Sequence, residues 1–424
     1  MVMSRGREPR LATDVPALVC KIGSYPWHHG GLAVVRSLAR AGVAAYAVVE
    51  HRHAASATSS LLSGGFAWPT GRDDAAGDRF VAALRRMAAH LGRPSVVVPT
   101  DDVAAMLCNE HAADLAGVVL LPPCPAGLAR RLASKVSCAD SAARAGLGVP
   151  AAVALCCPAA DADVAGLRLP AVVKRPVAGL RPDGTRTFST VIARDREALR
   201  RTLQDRSAGP YEVIVQEVLA GDDWLYHGYY DATSTPLVSF TGRKLRSRPA
   251  FAGETAYART ETNGELRRAV ERFLRDIRYA GPIGIDLRHD PRTGTYRLLD
   301  ANPRVCACFR LFVTDRDIDV VRAMHLDLTG REVPRGTQVD GRTYVVENYD
   351  WAVRGSYGPT GLRGTASWLA RMWHADERAW VQRGDLRPAV VAGLRSRVAR
   401  GRQGAIGPAA PRYFAGRHHE RAED

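Results

Sequence analysis

Short apolar runs alternate with amphipathic segments through the first third of the chain. Ala17-Leu-Val-Cys-Lys-Ile22 has the length and apolar content of a buried strand, and Leu32–Ala41 carries apolar residues at helical spacing up to Gly42. Ala44–Val49 is the next strand, so the three segments form a βαβ unit. The pattern continues with a helix around 78–91, a strand Ser95–Val98, the polar loop Pro99-Thr-Asp-Asp102, a helix through Leu115 and a strand Val118–Leu121. Strands alternating with helices predict a doubly wound α/β domain over 14–125, preceded by a loose arm at 1–13.

From Leu128 the pattern changes. A helix is expected over Leu128–Gly146, with Lys135 inside it. Gly148-Val-Pro150 enters a strand, and Pro170-Ala-Val-Val-Lys174-Arg-Pro176 is a short apolar strand ending in cations. A polar turn follows at 179–187, with Gly179, Gly184, Thr185 and Thr187, then a strand Phe188–Ile192, a helix Arg194–Gln204 and a strand Tyr211–Glu217. Further strands are expected at Leu225–Tyr230 and Pro236–Thr241, then a basic loop through Arg248 and an amphipathic helix Leu266–Ile277. Ile283–Arg288 and Thr295–Asp300, joined by a Gly-containing turn, form a hairpin. These elements place a central unit at 126–210 and a third at 211–330. An extension over 331–394 holds a strand Thr343–Glu347 and a helix Trp368–Trp380 whose aromatic stripe reads as core. The tail 395–424 is basic and expected to be flexible.

Composition narrows the function classes. With 46% hydrophobic and 24% charged residues the chain is globular in character. It has no apolar run long enough to span a bilayer, and no apolar stretch behind the basic start that would make a secretory leader. Eight dispersed cysteines in a long chain point to reduced thiols in a cytoplasm, and neither Cys156-Cys157 nor Cys306-Ala307-Cys308 has zinc spacing. The net charge of +15 is spread widely, which fits solvated Arg and an acidic small-molecule partner better than a nucleic acid. Of the 59 basic residues only Lys21, Lys135, Lys174 and Lys244 are lysines. In so Arg-biased a chain each lysine draws notice, because its compact charge is not replaced by Arg at a phosphate.

Several residues carry candidate chemistry. The loop at 23–31 lacks the G-x-G-x-x-G spacing of a dinucleotide site, although Glu50 follows at a fitting distance. At the strand ends, His28, His29, Gly30 and the Thr100-Asp101-Asp102 loop are candidate substrate contacts. Asp286 and Asp300 lie on two strands joined by a turn and can face one site, and Asn302 keeps the direction of Asp300 by the period of two. Two carboxylates and an amide oxygen suit Mg²⁺ or Mn²⁺ bridging nucleotide phosphates. Arg304, two residues on, offers a fixed fork for an oxyanion. Arg243, Lys244 and Arg246 make a cationic run suited to a carboxylate or phosphate, with Glu254 beyond as an ammonium or metal contact.

Taken in order, a helix-borne Lys135, a strand-end Lys174, Gln216-Glu217-Val218-Leu219, then Asp286 and Asp300-Ala-Asn302-Pro-Arg304 resemble the ATP-grasp superfamily. The resemblance covers Lys135–Arg304 and is closest to carboxylate–amine ligases of the D-aspartate ligase-like kind. Asp300 stands where that family usually has Glu, a departure that preserves charge. The resemblance implies an α/β domain followed by a two-lobed ATP-grasp fold. It also implies ATP with Mg²⁺ and an amide bond made through an acyl phosphate from a small carboxylate and an amine, amino acids among the candidates. On the same basis Lys135 and Lys174 meet phosphates, and Asp286, Asp300 and Asn302 hold the metal. Arg304, with Lys244 and Lys174, acts on the transferring phosphoryl group. Gln216, Glu217 and Leu219 meet adenine, Asp223 (or Asp222) meets ribose, and Val172, Val215 and Leu299 wall the ring. The 179–187 turn covers the phosphates in this reading. A phosphotransferase without ligation, or a non-catalytic nucleotide- or nucleic-acid-binding protein, are the rival readings, and a homodimer is expected on base rates.

Overall fold

The computed structural model describes residues 11–23, 28–49, 52–68, 77–174, 190–204, 211–398 and 412–415. Strands β1 (Ala17–Cys20), β2 (Ala45–Val49), β3 (Gly64–Ala67) and β4 (Val96–Pro99) form a parallel sheet in the order β3-β2-β1-β4. Helix α1 (His29–Arg40) connects β1 to β2, α2 (Gly77–Leu91) connects β3 to β4, and α3 (Asp102–Glu110) follows β4. Every residue of β1 and β4 is buried, as expected of parallel strands covered on both faces. β3 has no counterpart in the sequence reading because Gly-Gly-Phe-Ala has little strand propensity; its pairing with β2 creates it. Val118–Leu121, expected as a strand, contributes only one bridge, Leu120 to Val96.

The expected helix 128–146 is two helices, α4 (Leu128–Ala133) and α5 (Lys135–Arg144). Ser134 leaves helical geometry between them and caps α5 through the Ser137 N–H. Lys135 is therefore the first residue of α5, not an interior one. A four-stranded antiparallel sheet follows in the order β5-β8-β6-β7, from β5 (Ala152–Cys157), β6 (Ala171–Lys174), β7 (Thr190–Ala193) and β8 (Tyr211–Glu217). Helix α6 (Arg196–Leu203) packs Leu199 and Leu203 onto one face, against Val173, Val213 and Val215.

The largest sheet runs β13-β12-β9-β10-β11-β14-β15. Its strands are β9 (Asp223–Tyr230), β10 (Pro236–Arg248), β11 (Glu254–Thr260), β12 (Gly281–Asp290), β13 (Thr295–Asn302), β14 (Thr343–Val345) and β15 (Glu377–Arg378). The basic stretch through Arg248 is thus the second half of strand β10, not a loop; pairing on both edges overrides its charge. Helix α7 (Gly264–Asp276) buries Leu266, Val270, Phe273 and Leu274 against one face. Helices α8 (Val320–Leu328), α9 (Glu347–Val353), α10 (Gly361–His374) and α11 (Arg387–Val398) complete the chain. The expected helix at 368–380 lies earlier, as α10, and gives way to β15. Within the tail, β16 (Arg412–Ala415) pairs antiparallel with β3, so these four residues are an edge strand and not a loose end.

One core joins the first unit to the third, from Val19, Leu32 and Val35 to Phe309, Phe312, Val321 and Tyr349. Buried Arg36 of α1 fastens the extension to it, donating to Asp385 Oδ2 (2.9 Å) and to the carbonyls of Ala379 (3.2 Å), Trp380 (2.9 Å) and Asp385 (2.9 Å). No described helix is long and apolar enough to cross a membrane.

Candidate functional site

The hairpin β12–β13 carries a local irregularity that aims its side chains. Asp286 pairs with Asp300 and Gly284 with Asn302, but Leu287 pairs with Leu298, leaving Leu299 as an extra residue. Ile283, Ile285 and Leu287 enter the core beside α7, and so do Leu298 and Ala301. In an unbroken strand Leu298 would share a face with Asp300. The bulge reverses the alternation, so Leu298 stays in the core while Asp300 and Asn302 join Asp286 on the opposite face.

Cations from four parts of the chain meet this face. Lys244 of β10 lies 2.5 Å from Asp286 Oδ1, and Lys135 at the start of α5 lies 3.2 Å from Asp300 Oδ1. For both lysines burial opposes the charge, but the neighbouring carboxylates outweigh it and raise the pKa. Lys174 has no ion-pair partner among the described residues. Burial brings it down to about 8, against the pull of Asp300 and with the push of Lys135. Arg304 donates from Nε to Asp102 Oδ1 (2.8 Å) and from Nη2 to Asn302 Oδ1 (3.0 Å), and its pKa is raised despite burial. Three of the four lysines therefore converge, while Lys21 lies in the first unit near His28.

The donor set suits a divalent cation. Asp286 Oδ1 is buried and has no hydrogen bond, its contact being the Lys244 ion pair. Asp300 Oδ1 and Asn302 Oδ1 are likewise held by cationic side chains. Three hard oxygens on one face, each balanced by a cation, are what Mg²⁺ takes when phosphates supply the rest of its shell. Among the described residues no three His, Cys, Asp or Glu form a metal cage by themselves.

The linker residues frame a second part of the site. Val172, Lys174, Ile214 and Gln216 share one face of the small sheet, since Val172 pairs with Gln216 and Lys174 with Ile214. Val215 lies on the other face, in the core under α6, so the expectation that it walls adenine is corrected by alternation; Ile214 is the residue of that strand on the face of Val172 and Gln216. Glu217 pairs with the backbone of Ala151, its Oε1 accepting from that N–H (3.1 Å). Asp223 is gripped at both oxygens by Arg288, at 2.6 and 2.8 Å, and Arg288 also donates to Leu219 O (3.0 Å) and Phe251 O (3.1 Å). Asp222, its rival for ribose, pairs with Arg243 at 2.7 Å and is largely exposed.

The weaker candidates are mostly engaged elsewhere. His28 caps α1 and meets Thr100 O from Nε2 (2.8 Å), and burial with Lys21 nearby lowers its pKa to about 3. His29 packs edge-on to Tyr349 and Trp380, and Gly30 lies tight against Ala307. Asp101 caps α3 and accepts from Ile22 (2.7 Å) and Gly23 (2.9 Å). Strand ends and helix starts claim the polar atoms of His28 and Asp101, while His29 and Gly30 are set by packing. Arg243 lies on the far face of the sheet, over Trp224, and Arg246 joins buried Asp350 at 3.3 Å. Glu254 is exposed at the start of β11, opposite Arg248. The turn 179–187 and Glu50 lie outside the described residues. Arg288 escaped the sequence reading, although the period of two from Asp286 made it accessible; Asp102, expected in a pocket-lining loop, meets Arg304 only through the fold.

No family model matches the chain. D-aspartate ligase of Enterococcus faecium (strain Aus0004) is 30% identical over 98 residues, 22% of this chain and 23% of that protein. The match thus spans about a quarter of the curated relative's length. An ADP complex of N5-carboxyaminoimidazole ribonucleotide synthetase superposes with a TM-score of 0.59 at 13% identity, covering 83% of this chain and 90% of that one. The biotin carboxylase domain of Hydrogenobacter thermophilus 2-oxoglutarate carboxylase, solved with MgADP, ADP and bicarbonate, gives 0.55 at 14% identity, covering 76% and 71%. At such identities these likenesses establish the fold.

Proposed function

We propose that this chain, whose fold is that of the ATP-grasp enzymes, is an ADP-forming carboxylate–amine ligase using ATP and Mg²⁺. The observation that carries the reading is the facing pair Asp286 and Asp300, ringed by Lys135, Lys174, Lys244 and Arg304. The nucleotide complexes of the structural neighbours and the ligase relative support it.

In this reading adenine lies on the face of Val172, Ile214 and Gln216, with the backbone of Glu217 and Leu219 along its edge. Lys135 and Lys174 take up phosphate oxygens. Asp286, Asp300 and Asn302 would hold Mg²⁺, which would offset the charge of the phosphates. A substrate carboxylate oxygen attacks the γ-phosphorus, the bond to the bridging oxygen breaks, and ADP leaves. Lys244 and Arg304 face the charge on the transferring group, so catalysis is mainly positioning and electrostatics. The amine then attacks the acyl carbon of the acyl phosphate, inorganic phosphate departs, and the amine nitrogen loses a proton. Water must be kept from this intermediate, which it would hydrolyse.

A coupled ADP-release screen of carboxylates with and without amines tests the proposal. ADP release that requires both partners, and falls about a hundredfold or more in Arg304→Ala (on the order of 3 kcal/mol in the barrier), is the expected result. ADP release indifferent to any amine would favour a phosphotransferase.

A further inference from the structure

We infer that Asp102, on the N-terminal α/β unit, is the positioning residue of Arg304, holding one edge of its guanidinium so that the other can meet the transferring phosphoryl group. The inference rests on the phosphoryl-transfer reading of the site. Asp102 is the first residue of α3, and its own position is fixed by its neighbour. Asp101 spends both oxygens on backbone N–H groups, Oδ1 on Ala104 and Oδ2 on Ile22 and Gly23. The loop that presents Asp102 is thereby tied to the end of β1. A second tie runs from Val305 N to Pro99 O (3.3 Å), which fixes the backbone beside Arg304 against the same loop.

The division of the guanidinium is the informative feature. Nε donates to Asp102 Oδ1 at 2.8 Å, and Nη2 donates to Asn302 Oδ1 at 3.0 Å. Asn302 Oδ1 is also an oxygen suited to the cation. When it turns to a cation, Nη2 loses its acceptor and becomes available to a phosphoryl oxygen. The Nε bond to Asp102 does not depend on that exchange, so Arg304 keeps its orientation through it. Asp102 also lies close enough to Lys135 to favour its charge, so one carboxylate from the first unit serves two cations of the site. It touches neither reacting group and acts through them.

The test uses the full chain with MgATP and the isosteric variant Asp102→Asn. ADP formation is expected to fall about 10- to 100-fold in kcat, with KM for ATP within twofold and the MgADP-induced thermal shift retained. In the Arg304→Lys background Asp102→Asn is expected to cost much less than it does in wild type, because most of its effect passes through that arginine and only the part on Lys135 remains. A readout independent of turnover is the Nε–H resonance of Arg304, assigned by its loss in Arg304→Lys. It is expected to be slow to exchange in wild type and fast in Asp102→Asn, with partial recovery in Asp102→Glu. Wild-type kcat in Asp102→Asn, a full additional loss on top of Arg304→Lys, or an unchanged Nε–H exchange rate would each overturn the inference. Failure of wild type to bind MgADP would instead remove the underlying ligase reading, and is seen separately.

Discussion

Asp286 stands directly opposite Asp300 across the β12–β13 hairpin, and each is met by a lysine from another element, Lys244 for the first and Lys135 for the second. In the proposed reading the two lysines hold the carboxylates that would take the divalent cation. Binding of metal and phosphate then amounts to an exchange of partners, carboxylates to the cation and ammoniums to phosphates, with little net burial of unpaired charge.

That exchange predicts the behaviour of Lys244→Met. Removing the ammonium leaves Asp286 Oδ1 buried without its counter-charge, so the variant should lose stability. Mg²⁺ alone, without nucleotide, should raise its melting temperature more than that of wild type, since no lysine competes for the carboxylate. An equal Mg²⁺ effect in both proteins, read by thermal denaturation, would count against the competition.

The pH dependence of nucleotide binding should report on Lys174. Its folded-state pKa is lowered to about 8 by burial, from an ordinary value of 10.5. In the proposed reading its ammonium form, favoured below pH 8, would meet phosphates, and its neutral form, favoured above, would not. Affinity for MgATP should therefore fall as pH rises through 8, and binding between pH 8 and 10 should take up protons. Calorimetry in two buffers of different ionisation heat measures the uptake, which Lys174→Arg should abolish. The same shift bears on stability. Between pH 8 and 10.5 the unfolded chain binds more protons at this site, so its contribution improves as pH rises. Lys174→Met should accordingly stabilise the nucleotide-free protein at neutral pH.

The turn between β10 and β11 should depend on Tyr357, far along the chain. Its hydroxyl accepts from Ser247 N (3.1 Å) and Phe251 N (2.7 Å). The same turn supplies Gly253 O to Lys244 (3.3 Å) and Phe251 O to Arg288 (3.1 Å). Tyr357→Phe leaves two N–H groups without that acceptor and should cost about 1–2 kcal/mol in urea denaturation. It should also slow ADP release, through loosened Lys244 and Arg288.

Arg36→Ala should be far more damaging. The guanidinium is buried and satisfies Asp385 together with three carbonyls. Its loss strands a buried carboxylate, for which about 3–5 kcal/mol is the usual scale. A melting temperature within a degree or two of wild type would show that the extension is held by other contacts.

That Asp286, Asp300 and Asn302 share one face was legible because their spacing follows strand alternation. Asp300 and Asn302 sit two apart, Asp286 lies on the partner strand, and the apolar residues between them fix the faces. Val215 fell to the same rule, since as the neighbour of Gln216 it alternates to the other face, where α6 packs. The bulge at Leu299 was invisible, although it decides that Asp300 leaves the core side. Substrate candidates drawn from loop position fared worst. His28 and Asp101 have the polarity of ligand contacts, but helix starts demand the same side chains as caps. The extension was opaque because Arg36, Asp350 and Tyr357 act through partners more than a hundred residues away.

The central claim, that Asp286 and Asp300 hold a metal against the nucleotide's phosphates, is met most directly by calorimetric ATP titrations with and without Mg²⁺. Wild type should bind ATP at least tenfold more tightly with Mg²⁺, and Asp286→Asn/Asp300→Asn should lose that difference while still binding metal-free ATP. The same Mg²⁺ enhancement in the double variant would contradict the account.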